Sequence, residues 1–283
     1  MKLAIVTDST CDLSAERLEA LKVHRVHLYV AFQGKTHRDW IDITPKQIID
    51  GVKAGADLPT TSQPSPEDFT TAYKAAVKAG AEQILVITIS SAISGTLQSA
   101  TIAAEDAGAP VTTFDSKQAS VGIGNLVEVA AAMRDEGAAL EDIVKTLERT
   151  RDSMRVVFAV DTLDFLLKGG RVSKASALIG GMLNIKPILG LDDGKIVPVA
   201  RARGTKKAIA ELVARIKAHA EANPGPLVLD FLHVEDPAAA DTLRRAFQDA
   251  GVQFEGGDAR SIGSVIAAHV GPGTFACYAH VRP

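Results

Sequence analysis

The chain has 283 residues, of which 46% are hydrophobic and only 5% aromatic; that mass supports one large or two medium domains, and its Ala, Val, Leu and Ile bias favours helices on parallel sheet over an all-β sandwich. The 31 basic and 34 acidic residues are evenly mixed, for a formal net charge of -3, which argues against nucleic acid as the main partner. No apolar run approaches bilayer length, and two cysteines, Cys11 and Cys277, far apart in the chain suit a reducing compartment, so a cytoplasmic protein without stable membrane insertion is expected.

Leu3 to Val6 reads as a buried strand ending in the polar loop Thr7 to Ser14. Ser14 is an N-cap for a short helix through Glu16 to Leu21. Val26 to Phe32 reads as a second strand, and Gln33 to Thr36 as a turn. Thr44 and Pro45 open a helix as N-cap and N1. Leu58 to Pro66 reads as a rigid polar loop with three prolines, carrying Thr60, Thr61, Ser62 and Ser65. Ser65 then caps a helix with Phe69, Ala72, Tyr73, Ala76 and Val77 at helical spacing.

Ile84 to Ile87 is an apolar run of the buried parallel type. Thr88, Ser90, Ser91, Ser94, Gly95 and Thr96 follow at once, leading into a helix to about Asp106. Such a strand-to-helix junction can hold an anion on free backbone N–H groups; an ordinary Ser-capped loop is the plainer reading. Val111 to Phe114 is the next strand, followed by Asp115-Ser116-Lys117 and an alanine-rich helix from about Gly122 to Arg134. Leu140 begins a further helix ending near Arg151. The repeated strand, polar loop and helix predict a parallel sheet covered on both faces.

The domain change is placed near Val156 to Val160, giving domains of residues 1–157 and 158–283. Leu163 to Leu167 is followed by the break Lys168 to Arg171, and Ser173 to Met182 reads as a helix. Ile185 to Leu191 and Ile196 to Ala200 form a hairpin about Asp192 to Lys195, with Pro198 marking an edge or irregular strand. A long helix runs from Ala208 to about Ala222. Leu227 to His233 is a strand, Pro237 to Ala250 a helix and Val252 to Gly256 a strand. A short helix or turn over Ser261 to Ala267, the loop His269 to Thr274 and the strand Phe275 to His280 complete the reading. The hairpin makes the second half a mixed sheet with helices.

The chemistry is sparse. No His/Cys cluster has metal-ligand spacing, and Asp8, Asp12, Asp115 and Asp161 would need folding to gather them around a cation. The G-x-S-x-G elbow and the G-x-G-x-x-G fingerprint are missing. A serine hydrolase acting on acyl esters through Ser94 and His269 is the enzymatic alternative. The prominent feature is a set of hydroxyls at expected strand ends: Thr61, Ser62, Ser94 and Thr96, with Arg171 and His269 available from the second half. Neutral hydroxyls can hold a carboxylate, and an arginine supplies charge.

In order along the chain, Thr7 to Leu13, Pro59 to Pro66, Ile89 to Thr96, Asp115 to Lys117, Lys168 to Arg171, Leu183 to Leu189 and His269 to Gly273 form a series of motifs. By these the sequence resembles the DegV family of fatty-acid-binding proteins, some of which are the acyl-carrying subunit of bacterial fatty acid kinase. The resemblance covers essentially the whole chain. It implies two α/β domains with a long-chain fatty acid between them, no catalysis by this chain alone, and no cofactor. It also implies that Thr61 and Ser94 bond the carboxylate, with the Ser62 and Gly95 backbone groups close by. His269, from the Gly-Pro-Gly loop, completes the head-group site, and Arg171 lies near the pocket mouth. Ile93, Leu163, Leu166, Ile179, Leu183, Ile185 and Ile188 are candidates for the tail channel. A separate ATP-dependent kinase is the implied protein partner, and the oligomeric state is left open.

Overall fold

The computed structural model describes residues 2–172 and 184–282. Two α/β units follow one another along the chain. The first is built on a parallel sheet of four strands, β1 (Leu3–Asp8), β2 (Val23–Val26), β6 (Gln83–Thr88) and β7 (Val111–Asp115), in the order β2-β1-β6-β7. Between them run α1 (Ala15–Ala20), α2 (Pro45–Lys53), α3 (Pro66–Lys78) and α4 (Thr96–Ala103); α5 (Val121–Asp135) and α6 (Leu140–Asp152) follow β7.

Both faces of this sheet are apolar because helices cover both. Along β6, Leu85 and Ile87 pack with Leu126, Val127 and Leu147 from α5 and α6. The alternate residues Ile84 and Val86 pack with Phe69 and Tyr73 of α3 and Ala100 of α4. The period of two along a strand therefore assigns each residue to one layer.

The helix starts follow the expected chemistry. Ser14 accepts from Arg17 N. Thr44 with Gln47, and Ser65 with Asp68, form reciprocal capping boxes, each with Pro at the start of the helix. Two local readings differ from the fold. The run Val26 to Phe32 is divided: β2 joins the parallel sheet, while β3 (Tyr29–Phe32) joins a small antiparallel sheet with β4 (Lys35–Arg38) and β5 (Thr60–Ser62). The expected loop at Leu58 to Pro66 thus contains a strand, with Thr61 paired to Val30. Its composition is turn-like; the free edge of β3 imposes the extended form.

The second unit is a mixed sheet in the order β10-β9-β8-β13-β11-β12. Its strands are β8 (Arg155–Ala159), β9 (Ile185–Asp192), β10 (Lys195–Arg203), β11 (Leu227–His233), β12 (Glu255–Ser261) and β13 (Phe275–Val281). Its helices are α7 (Asp164–Gly169), α8 (Gly204–Ala222), α9 (Pro237–Asp249) and α10 (Ser264–Val270). Pro198 lies on the edge strand β10, beside a register shift. The expected strand at Val252 to Gly256 begins later, at Glu255, and runs through polar residues to Ser261; parallel pairing with β11 overrides their weak strand preference. A division between residues 157 and 158 would cut β8, whose residues pair with β13 and β9. Sheet membership favours a division ahead of Arg155. The helix read at Ser173 to Met182 lies outside the described residues.

The two faces of this second sheet differ in what covers them. Val157, Ala159, Leu229, Phe231, Phe275 and Cys277 pack under α8 and α9. Their neighbours Val156, Phe158, Leu232, Ala276 and Tyr278 point the other way, toward the first unit. Between that face and the loops of the first unit lies the cavity described next.

Candidate functional site

The cavity has a volume of about 320 Å³, within the usual size of a small-ligand site. One wall is sheet: Val156, Phe158, Leu191, Ile196, Leu232, Ala276 and Tyr278. Another is α10 and its approach, through Ile262, Val265, Ile266, His269 and Val270. The first unit contributes Leu28, Ile89, Ile93, Ala119 and Ser120, together with the polar group Thr61, Ser62, Gln63 and Ser94. Arg171 also lines it.

β5 carries Thr61 to the cavity, and α10 carries His269. Their side chains meet, Thr61 Oγ1 to His269 Nε2 at 2.7 Å. His269 sits in the last turn of α10, rather than on the Gly-Pro-Gly loop that follows. Burial, and secondarily the Arg171 charge, push its imidazole down to about 4, so the ring is neutral at pH 7. Nδ1 is buried with no partner among the described residues. In the tautomer with the ring proton on Nε2, no donor is stranded at Nδ1. In that tautomer Nε2 donates to Thr61 Oγ1, which leaves the Thr61 O–H to donate elsewhere.

Ser94 lies in the turn before α4. Its Oγ accepts from Thr96 N at 3.3 Å and pairs with Thr96 Oγ1 at 2.8 Å. No hydrogen bond joins Ser94 to His269 among the described residues, so the hydrolase alternative lacks its nucleophile–base couple here.

Gly95 is the N-cap of α4 and offers no side-chain cap. A Cβ there would lie 2.0 Å from Gln63 Oε1. Glycine thus lets Gln63 close over the start of the helix, where Gln63 Nε2 donates to Ser99 Oγ at 2.9 Å. Arg171 donates from Nε to Ile93 O at 3.2 Å and from Nη1 to Gly169 O. It ties the end of α7 to the Ser94 turn, and it also borders a second recess with Ala92, Ile93, Gly170, Lys195 and Ile196.

Five of the six expected site residues, Thr61, Ser62, Ser94, Arg171 and His269, therefore line one cavity. The sixth, Gly95, stands directly behind Ser94 and Gln63. Of the expected tail residues, Ile93 lines the cavity. Leu163 and Leu166 are core, and Ile188 packs on the opposite, helix-covered face of the sheet. Ile185 is not among the lining residues; Ile179 and Leu183 lie outside the described residues. Gln63 and the sheet wall were missed. Gln63 follows the Thr-Thr-Ser motif directly, and the wall could have been found by counting alternate residues along β8, β11 and β13.

Among the described residues, no group of three or more His, Cys, Asp or Glu side chains could hold a metal ion. Nor is any described helix long and apolar enough to cross a membrane.

A two-unit α/β fold around a mostly apolar cavity with hydroxyls in its lining defines the class. The chain belongs to the DegV family: residues 2–281 match its family model, described as "Uncharacterised protein, DegV family". A DegV domain-containing protein of Deinococcus radiodurans is 40% identical, with 96% of each chain covered. A protein of Thermotoga maritima named "Fatty acid-binding protein" is 32% identical over 97% of this chain and 96% of its own. The solved structure of a DegV family protein from Thermus thermophilus, described as showing fatty acid binding, superposes with a TM-score of 0.95 at 41% identity, covering 100% of both chains.

Proposed function

We propose that this protein binds a long-chain fatty acid, with its carboxylate at the hydroxyl-lined end of the cavity and its tail against the sheet wall. The observation that carries the reading is the cavity itself: a mostly apolar interior whose lining includes Thr61, Ser62, Ser94 and His269, with Thr61 Oγ1 at 2.7 Å from His269 Nε2. A tail with about ten buried methylenes supplies roughly 8 kcal/mol of gross transfer free energy. The polar end then fixes orientation rather than affinity.

In this reading the Thr61 O–H, freed by the His269 tautomer, donates to the carboxylate. The Ser94 hydroxyl and the Ser62 and Gly95 backbone groups complete the set, and Arg171 supplies positive charge at the mouth. These are hydrogen-bond donors in a low-dielectric setting, where an anion needs them. The named binding properties of the Thermotoga and Thermus relatives support the same ligand class. The protein works in the cytoplasm, consistent with its two buried free cysteines.

The carboxylate so held is presented to a separate ATP-dependent fatty acid kinase, with this chain as the non-catalytic carrier. Acyl phosphate formed only when such a kinase, ATP and loaded protein are combined would support that part; formation with free fatty acid at the same rate would remove it. For the ligand itself, denatured protein is extracted and its lipids are read by mass spectrometry. A stoichiometric fatty acid is expected. Absence of any, together with no binding of palmitate by the delipidated protein, overturns the reading.

A further inference from the structure

Helix α10 has no cap of its own. Its N-cap is Gly263, which has no side chain to offer. The N–H groups that begin the helix are met instead from the other unit. Gly263 N donates to Asp12 Oδ1 at 3.1 Å, and Val265 N donates to Asp39 Oδ1 at 3.2 Å. Both carboxylates are buried.

Each carboxylate is braced through its second oxygen. Ser120 Oγ donates to Asp12 Oδ2 at 2.5 Å, and Ser9 Oγ donates to Asp39 Oδ2 at 2.8 Å. Ser264 Oγ adds a bond to Ile43 O at 2.9 Å. A carboxylate suits this position because both of its oxygens only accept. Gly263 is required as well: a Cβ there would lie 2.5 Å from both Asp12 Oδ1 and Trp40 Nε1.

The far end of the same helix carries His269, bonded to Thr61, and its middle, Val265 and Ile266, lines the cavity. A seven-residue helix is thus held at both ends by polar groups of the N-terminal unit. A short helix has little stability alone; these bonds decide where it sits.

We propose that Asp12 and Asp39 are positioning residues for the head-group end of the cavity: acting through α10, they fix His269 against Thr61. The same helix links that end to Trp40, the only tryptophan of the chain. The effect on ligand affinity rests on the fatty-acid reading; the effect on His269 does not.

The test uses the full chain, delipidated, as wild type, Asp12→Ala, Asp39→Ala and Asp39→Asn. Asn125→Ala is the control, since it removes a buried bond between the units, Asn125 Nδ2 to Asp230 Oδ2 at 2.8 Å, away from α10. Palmitate affinity is measured by calorimetry, Trp40 emission is followed during titration, and the His269 ring resonances are recorded by NMR without ligand. The alanine variants should shift the His269 signals and weaken palmitate by about tenfold, the scale of one lost charge-assisted bond. Asp39→Asn, which keeps one acceptor, should fall between Asp and Ala and remains informative if an alanine variant does not fold. Wild-type emission should change on palmitate binding. Asn125→Ala should lower the unfolding temperature while leaving affinity and the His269 signals unchanged. Unmoved His269 resonances in the Asp12 and Asp39 variants, or equal displacement in Asn125→Ala, overturn the proposal. Shifted resonances in a protein whose wild type ignores palmitate would uphold the positioning and remove the fatty-acid reading.

Discussion

The N-terminal unit meets the cavity with loops and strand ends; the C-terminal unit meets it chiefly with the face of a sheet. The first delivers hydroxyls and amides, the second Val156, Phe158, Leu232, Ala276 and Tyr278. The difference follows from topology. At the end of a parallel strand the chain must turn into a helix, and free N–H groups and hydroxyls collect there. A mixed sheet with helices on one face has a second face to bury, and alternate residues make it apolar. One unit is built to orient, the other to hold.

That division can be broken from the apolar side with the largest effect. Ala276→Phe would place a ring in the tail space. Displacing about four methylenes forfeits roughly 3 kcal/mol, or about a hundredfold in affinity. Calorimetry with palmitate should register that loss while circular dichroism stays native, and a variant binding as well as wild type would show that Ala276 does not face the tail.

The polar side carries a pH signature. The neutral form of His269 is favoured by burial, its folded value falling from 6.5 to about 4. The unfolded state therefore binds a proton first as pH falls. His269 contributes stability that is present above about 6.5 and lost toward 4, on the order of 1–2 kcal/mol after allowance for partial exposure. Asp39 acts in the opposite sense. Burial raises its carboxyl to about 6, so its contribution is present below the ordinary carboxylate range and lost as pH rises through about 6. Denaturant unfolding of His269→Gln and wild type between those limits separates the two. Their stability difference should shrink as the solution is acidified, and a difference independent of pH would refute the assignment.

Thr61→Ala should weaken palmitate by about tenfold, the scale of one hydrogen bond to a charged group, whereas Thr61→Ser should stay near wild type. Equal affinity for all three would move the carboxylate away from β5. The smallest effect is expected at Gly95→Ala, where the new methyl meets Gln63 Oε1. A loss of about threefold should be recovered in the Gly95→Ala/Gln63→Ala double variant, as expected for two groups in contact. Additive losses in that cycle would exclude the clash as the cause.

How much of this could be read beforehand tracks the same division. The polar end was legible because its parts are local motifs: Thr-Thr-Ser before Gln63, and Ser-Gly-Thr after the Ile84 strand. Local chemistry also gave the helix starts at Ser14, Thr44 and Ser65. Long-range pairing was not legible. Thr61 becomes strand only because β3 offers it an edge, and β12 runs through polar residues because β11 lies beside it. Ile188, expected in the tail channel, packs instead on the helix-covered face, while Leu191 lines the cavity: an apolar run does not say which of its two faces looks inward. His269, expected on the Gly-Pro-Gly loop, sits in the last turn of α10, a helix with no cap of its own for the sequence to display.

The position of β13 has a kinetic consequence. It lies between β8 and β11, and Ala159 pairs with Phe275. On the order of a hundred residues separate these partners, so the middle of the second sheet closes only after a large loop has been brought together. β6 and β7, by contrast, are joined through α4 and a single 3-10 turn over Ala104–Asp106. Pulse-labelled hydrogen exchange during refolding should therefore protect amides of β6 before those of β8. Until the slower pairing forms, the wall that would face an acyl tail does not exist, and the refolding chain has hydroxyls in place but nothing to hold a lipid against.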